Sequence, residues 1–138
     1  AYACMEIIGK CKWKFWALEN PRGHLRKWLG EPKLTFQPWQ YGDAWTKATD
    51  IWGDFNIPEM LYSRYDDVPN KLDIYTSPGR SKPNFAFLHK SEWSKIPQLQ
   101  YVEPPKSDAE FRAITPPGFA REFFKANCNK KNKKSVDN

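Results

Sequence analysis

Histidine and cysteine are both scarce in this 138-residue chain, and their scarcity removes several function classes at once. The three cysteines, Cys4, Cys11 and Cys128, form an odd set with neither metal-ligand nor redox spacing. With His24 and His89 as the only histidines, they supply no structural zinc centre, so no metal site is expected. An unpaired, thinly spread set of thiols reads as reduced, which places the chain in the cytoplasm. No run approaches the roughly 18 apolar residues of a membrane span, and no signal peptide is expected before the first element. Internal repeats are absent, and low complexity is confined to the carboxyl-terminal end.

What is present suits a single domain. Hydrophobic residues make up 40% of the chain and aromatic ones 16%, enough for a core at this length. The formal net charge of +6 is unevenly placed: five lysines from Lys125 onward face Asp137 alone. Residues 128–138 are therefore expected to form a basic tail, mobile in solution, whose lysines suit either nonspecific phosphate contact or plain solvation.

Along the chain, residues 2–10 read as a short helix with Ala3, Met5 (or Cys4), Ile7 and Ile8 on one side. A strand follows at 13–18. Arg22–Leu29 reads as a basic helix whose Leu25, Trp28 and Leu29 face a sheet, with Gly30 as its left-handed stop and Pro32 beyond. Further strands are expected at 33–37 and 49–55, separated by a turn at Tyr41-Gly42-Asp43. Residues 56–105 differ, being rich in proline and aromatics and poor in periodicity. A loop-rich region is expected there, with a flexible loop at Ser77–Pro83 and short strands around 72–76 and 84–89. A last helix is capped by Thr115, starts with Pro116 and Pro117, and turns Phe119, Ala120, Phe123 and Phe124 inward.

Chemistry concentrates at the run Phe15-Trp16-Ala17-Leu18-Glu19-Asn20-Pro21. Pro21 stops the strand and biases Asn20 away from helix, leaving Glu19 at the strand's carboxyl end. Open α/β sheets keep their ligand crevices at that end, although a carboxylate there also serves as a loop cap. Two further segments stand out: Tyr41-Gly42-Asp43-Ala44-Trp45-Thr46-Lys47-Ala48-Thr49-Asp50-Ile51-Trp52-Gly53, and Arg112-Ala113-Ile114-Thr115-Pro116-Pro117-Gly118-Phe119-Ala120-Arg121.

In this order and spacing the three segments resemble the carboxyl-terminal half of a DNA cytosine-5 methyltransferase, in the short form carried by phages and prophages. The family's Glu-Asn-Val corresponds to Glu19-Asn20-Pro21, followed by Gly23-His24-Leu25. Its Tyr-Gly turn corresponds to Tyr41-Gly42, and Trp45, Lys47 and Thr49 stand at the places of its Gln-x-Arg-x-Arg strand. The likeness covers residues 1 to about 55 and 110–127.

The resemblance implies an α/β fold: a partial Rossmann-like methyltransferase sheet with flanking helices and a loop-rich insertion. Residues 1–55 and 106–127 would form part of a catalytic domain, and 56–105 a target-recognition segment. The implied activity is methyl transfer from S-adenosylmethionine to cytosine in DNA, as in restriction-modification, in a bacterial host or phage-infected cell. The implied catalytic set is Glu19, Asn20, Lys47 and Thr49. Glu19, as a protonated carboxyl, would bond the base at N3 and the 4-amino group, and Lys47 would stabilise charge at O2. An exposed strand lysine would look the same.

DNA is the expected partner, through Arg22, Arg26, Lys27, Arg80 and Lys82. Trp39, Tyr41, Trp45 and Trp52 serve either as stacking partners for a flipped base or as core. The family's glycine-rich cofactor loop and Pro-Cys nucleophile loop precede its Glu-Asn-Val and are not found here. The chain is thus expected to be inactive alone, as a fragment or a natural short product. It would depend on a missing amino-terminal half or a partner chain. The alternative is a non-catalytic nucleic-acid-binding module derived from that fold.

Overall fold

The computed structural model describes residues 2–128. The basic tail expected over 128–138 lies, beyond Cys128, outside the described residues. Helix and strand are mixed, and the sheet has three strands: β1 (Trp16–Pro21), β2 (Leu34–Phe36) and β3 (Thr49–Asp54), in the order β1-β3-β2. Both outer strands run antiparallel to β3, so β1 and β2 are parallel to each other. Among the described residues four α-helices accompany them: α1 (Tyr2–Lys10), α2 (Arg26–Leu29), α3 (Asp108–Ala113) and α4 (Pro117–Cys128).

Register decides which side chains meet. Glu19 stands opposite Ile51 and Pro21 opposite Thr49, while Phe36 pairs with Thr49 from the other side. Because side chains alternate along a strand, Glu19, Thr49, Ile51, Leu34 and Phe36 share one face. The start of α4 and the 3-10 turn Pro38–Tyr41 cover that face, with the Phe36 and Phe119 rings stacked at 4.0 Å. The opposite face carries Asn20, Asp50, Trp52 and Thr35. There Trp52 donates its indole N–H to the Gly30 carbonyl at 3.0 Å, which ties the end of α2 to the sheet.

Two apolar cores result. One gathers Phe36, Tyr41, Ile51, Phe55 and Phe119 beneath the sheet. The other gathers Trp45, Ile74, Phe85, Leu88, Ile96, Leu99 and Phe111. Residues 56–105 enclose the second core with 3-10 turns at Tyr65–Asp67, Phe85–Phe87, Lys90–Lys95 and Pro97–Leu99.

Several expectations are corrected. β1 begins three residues later than the expected strand and continues through Pro21, so Glu19 lies within the strand, two residues before its last. Pro21 is tolerated because it is the final residue of a strand at the sheet's edge. The expected helix over 22–29 is helical only at Arg26–Leu29: Leu25 at its start gives no side-chain cap, and Trp28 points outward, 83% exposed.

No strand forms at 72–76 or 84–89; only an isolated bridge links Asn84 to Thr46. α1 forms as expected but buries none of its residues. On α4, Ala120 and Phe124 are exposed, so its inner face reduces to Phe119 and the half-buried Phe123.

Thr115 makes no hydrogen bond to α4 among the described residues. Instead Asp43 Oδ2 accepts the Gly118 N–H at 2.8 Å, a cap supplied from a distant turn. A side chain on Gly118 would not fit, since its Cβ would lie 2.1 Å from the Tyr41 carbonyl oxygen.

Candidate functional site

The first candidate site lies where the two cores meet. Lys47 is two residues upstream of β3 and 9% exposed. Its Nζ is 3.9 Å from Glu19 Oε1 and donates to the Ile114 carbonyl at 3.2 Å. It also lies 5.8 Å from the centre of the Phe85 ring. Burial pushes the Lys47 pKa down, and the Glu19 carboxylate pulls it partly back. Glu19 Oε1 is shielded from solvent yet has no hydrogen-bond partner, because 3.9 Å is too long for one. The Glu19 side chain as a whole is 30% exposed, although its Oε1 is not. A buried acceptor without a donor, beside a half-satisfied buried cation, is costly to maintain without a ligand.

Thr49 and Asn20 support this geometry from different sides. Thr49 is fully buried, and its hydroxyl donates to the Lys47 carbonyl at 2.7 Å, fixing the backbone that carries Lys47. Asn20 is on the opposite face from Glu19 and donates its amide to the Pro21 carbonyl at 2.8 Å. Of the four residues expected to be catalytic, the structure thus brings together Glu19 and Lys47, with Thr49 as a positioning residue and Asn20 turned away.

The expected DNA contacts divide similarly. Arg26 is committed within the fold: Nε and Nη2 bind the two carboxylate oxygens of the fully buried Asp50 at 2.6 and 2.7 Å. Arg26 also reaches Thr35 and Glu31, and its guanidinium holds the Asp50 carboxyl below the usual carboxylate range. Arg22 and Lys27 remain exposed beside it.

Arg80 and Lys82 lie elsewhere, on the rim of a cavity of about 310 Å³. Lys82 Nζ is held 5.7 Å from the Trp39 ring and 5.2 Å from the Tyr65 ring. Tyr41, Trp45 and Trp52 are core residues, so of the four aromatics considered for stacking only Trp39 is partly accessible.

Some functional geometry was missed from sequence. Ile114 contributes through its backbone carbonyl, which no residue type signals. Asp43, buried at the foot of α4, has its pKa pushed up to about 6 by burial, against the lowering effect of its Gly118 bond. Helix α3 was also missed, although Ser107-Asp108-Ala109-Glu110 has the spacing of a capping box and Ser107 does accept from the Glu110 N–H at 3.1 Å.

Among the described residues no cluster of His, Cys, Asp and Glu is arranged to hold a metal, and Cys4, Cys11 and Cys128 are free and exposed. No helix among them is long and apolar enough to cross a membrane. Comparison with protein-family models, with curated proteins and with solved structures gives no match.

Proposed function

We propose that the chain is part of a DNA cytosine-5 methyltransferase, its role being to hold the target cytosine through Glu19 and Lys47. The observation that carries this reading is the buried, unpartnered Oε1 of Glu19 beside Lys47 on one face of the sheet. Two mutually parallel strands, joined through α2 with β3 between them, suit a partial Rossmann-like sheet.

In that enzyme class a thiolate adds to cytosine C6, and negative charge builds on the ring before C5 is methylated. The Glu19 carboxyl group would hydrogen-bond the base at N3 and the 4-amino group. Lys47 would sit toward O2, where a preorganised cation or donor is worth about 2–4 kcal/mol in the transition state. Thr49 fixes Lys47, and Arg22 and Lys27 offer phosphate contacts. Arg26 contributes indirectly, by bracing β2 and β3 through Asp50.

The described residues do not fit S-adenosylmethionine. β1 leads into Pro21 and Arg22 rather than a glycine-rich turn, and the cavity beside Arg80 is rimmed by cations and has no acidic residue for a ribose. No step is therefore assigned to the cofactor here. That same cationic cavity favours a second reading, a nucleic-acid-binding module that retains this half of the fold without catalysis.

The test is base discrimination. An oligonucleotide with an unpaired cytosine should bind more tightly than its uracil counterpart, which lacks the amino group, and Glu19→Gln should erase the difference. In the complete enzyme the same change should lower turnover by about 100-fold or more while sparing DNA binding. Unchanged discrimination and turnover would refute the assignment of Glu19.

A further inference from the structure

The cavity beside Arg80 is built from side chains that the Glu19 reading does not use. Its rim carries two cations, Arg80 and Lys82, and no carboxylate. Ser77 and Ser81 add hydroxyls, and Asn84 adds an amide whose oxygen is already engaged by the Ala86 N–H at 3.0 Å, leaving its NH₂ as a donor. Phe87 completes the lining, with 59% of the residue exposed. The two cations differ in freedom. Lys82 is held between Trp39 and Tyr65, whereas Arg80 makes no salt bridge among the described residues.

The loop itself is shaped for this. Gly79 takes a φ of +77°, and the Arg80 N–H closes a turn onto the Ser77 carbonyl at 3.0 Å, so Ser77 and Arg80 stand at either end of one tight turn. Thr46 forms the floor, tied to the Pro83 carbonyl through both its N–H and its hydroxyl, at 2.9 and 3.0 Å. Thr46 is also the immediate neighbour of Lys47. The cavity and the Glu19–Lys47 cluster are therefore on consecutive residues of one extended segment.

We propose that this cavity binds one nucleotide unit of an unpaired nucleic-acid strand: the phosphodiester between Arg80, Lys82 and the serine hydroxyls, the neighbouring base on the face of Phe87. Charge and donors select the anion, and an exposed ring stacks on any base, because every base has a π-face. A volume of about 310 Å³ admits a phosphate and sugar while leaving the base to lie across the rim. The proposal rests on the nucleic-acid half of the reading above and not on the role of Glu19.

The experiment measures binding of the 138-residue chain to a short single-stranded DNA across a salt series, with a matched abasic strand and a free mononucleotide as companion probes. Arg80→Gln should weaken binding to both strands and reduce the slope of log K against log salt by about one. Phe87→Ala should weaken binding to the base-bearing strand about tenfold, leave the abasic strand unaffected, and keep the salt slope. Both side chains are exposed, so neither change threatens the fold.

The mononucleotide should compete only weakly; competition as strong as that of the strand would overturn the assignment to a polymer. Wild-type affinity and slope in both variants would overturn the site itself. Normal cytosine–uracil discrimination with no effect at Arg80 or Phe87 would refute this site alone. The reverse pattern would refute the Glu19 reading and leave this site standing.

Discussion

The core beneath the sheet, around Phe36, Ile51 and Phe119, is framed by three strands and a twelve-residue helix. The core around Phe85, Leu88, Ile96, Leu99 and Phe111 is framed by short 3-10 turns and one six-residue helix. Their side chains are alike in kind, and the difference lies in how the backbone is satisfied. In the first, ladders and helical bonds hold the chain whether or not any single ring is present. In the second, backbone groups are met piecemeal: Leu88 N–H by Phe85, Leu99 N–H by Ile96, and the Gln100 amide reaching the Trp93 and Ile96 carbonyls at 2.6 and 3.0 Å. Such turns are weak alone, so the second region depends on its buried side chains for stability and for shape.

The largest test of that difference is Phe111→Ala. Phe111, the buried residue of α3, packs on the Phe85 ring with the ring centres 4.8 Å apart. Its truncation should cost about 3–5 kcal/mol, a large share of a small domain's stability. Chemical denaturation followed by tryptophan fluorescence should still show one transition, because Thr46 and Lys47 join the two regions through Pro83, Phe85 and Ile114. Two separated transitions would mean the cores fold independently.

Gly118→Ala strikes the first core instead, by pressing a methyl group onto the Tyr41 carbonyl where α4 docks. The expected cost is about 3 kcal/mol, at the upper end for overpacking, since backbone on both sides must move. A smaller loss, read from the same denaturation curves, would show that α4 slides to accommodate the methyl and that the regular core is the softer of the two.

Asp43 gives the docking of α4 a pH dependence. Its folded pKa of about 6 exceeds the usual 3.8, so between those values the native state holds a proton that the unfolded state has lost. This contribution to stability is fully present below about pH 4, falls as pH rises, and is gone above about pH 6, an amplitude of about 2–3 kcal/mol. Asp43→Asn should flatten that window and be the more stable protein at neutral pH. Thermal melts of both proteins across the pH range test this, and parallel curves would refute it.

The contrast between the cores also explains what could be read from sequence. β2 and β3 were legible because Leu34 and Phe36 alternate with polar neighbours and Thr49–Asp54 sits between turn signals; α4 was legible from its prolines and phenylalanines. The second core was not, because its residues come from irregular turns with no period to detect. At the candidate site the Glu19–Lys47 pair was legible through the family-like segments, but the inward commitment of Arg26 was not. Asp50 is buried by tertiary packing, and nothing local in Arg22–Leu29 signals that one arginine turns in while Arg22 stays out.

Lys47 is the residue on which the comparison turns, because it touches both regions: Glu19 on the sheet, and Phe85 and Ile114 on the other side. If its charge were kept for stability, it would be a poor choice, since a buried ammonium with one hydrogen bond and a distant carboxylate recovers little of its lost hydration. Lys47→Met keeps the stem and removes the charge, so the stability change should stay within about 1 kcal/mol of zero, the smallest effect of the set. Cytosine–uracil discrimination, in contrast, should be lost along with that of Glu19→Gln. A loss of stability near that of Phe111→Ala would make Lys47 a strut between the cores. Intact folding with discrimination lost would mean that a charge costly to bury is retained there for the ligand it faces.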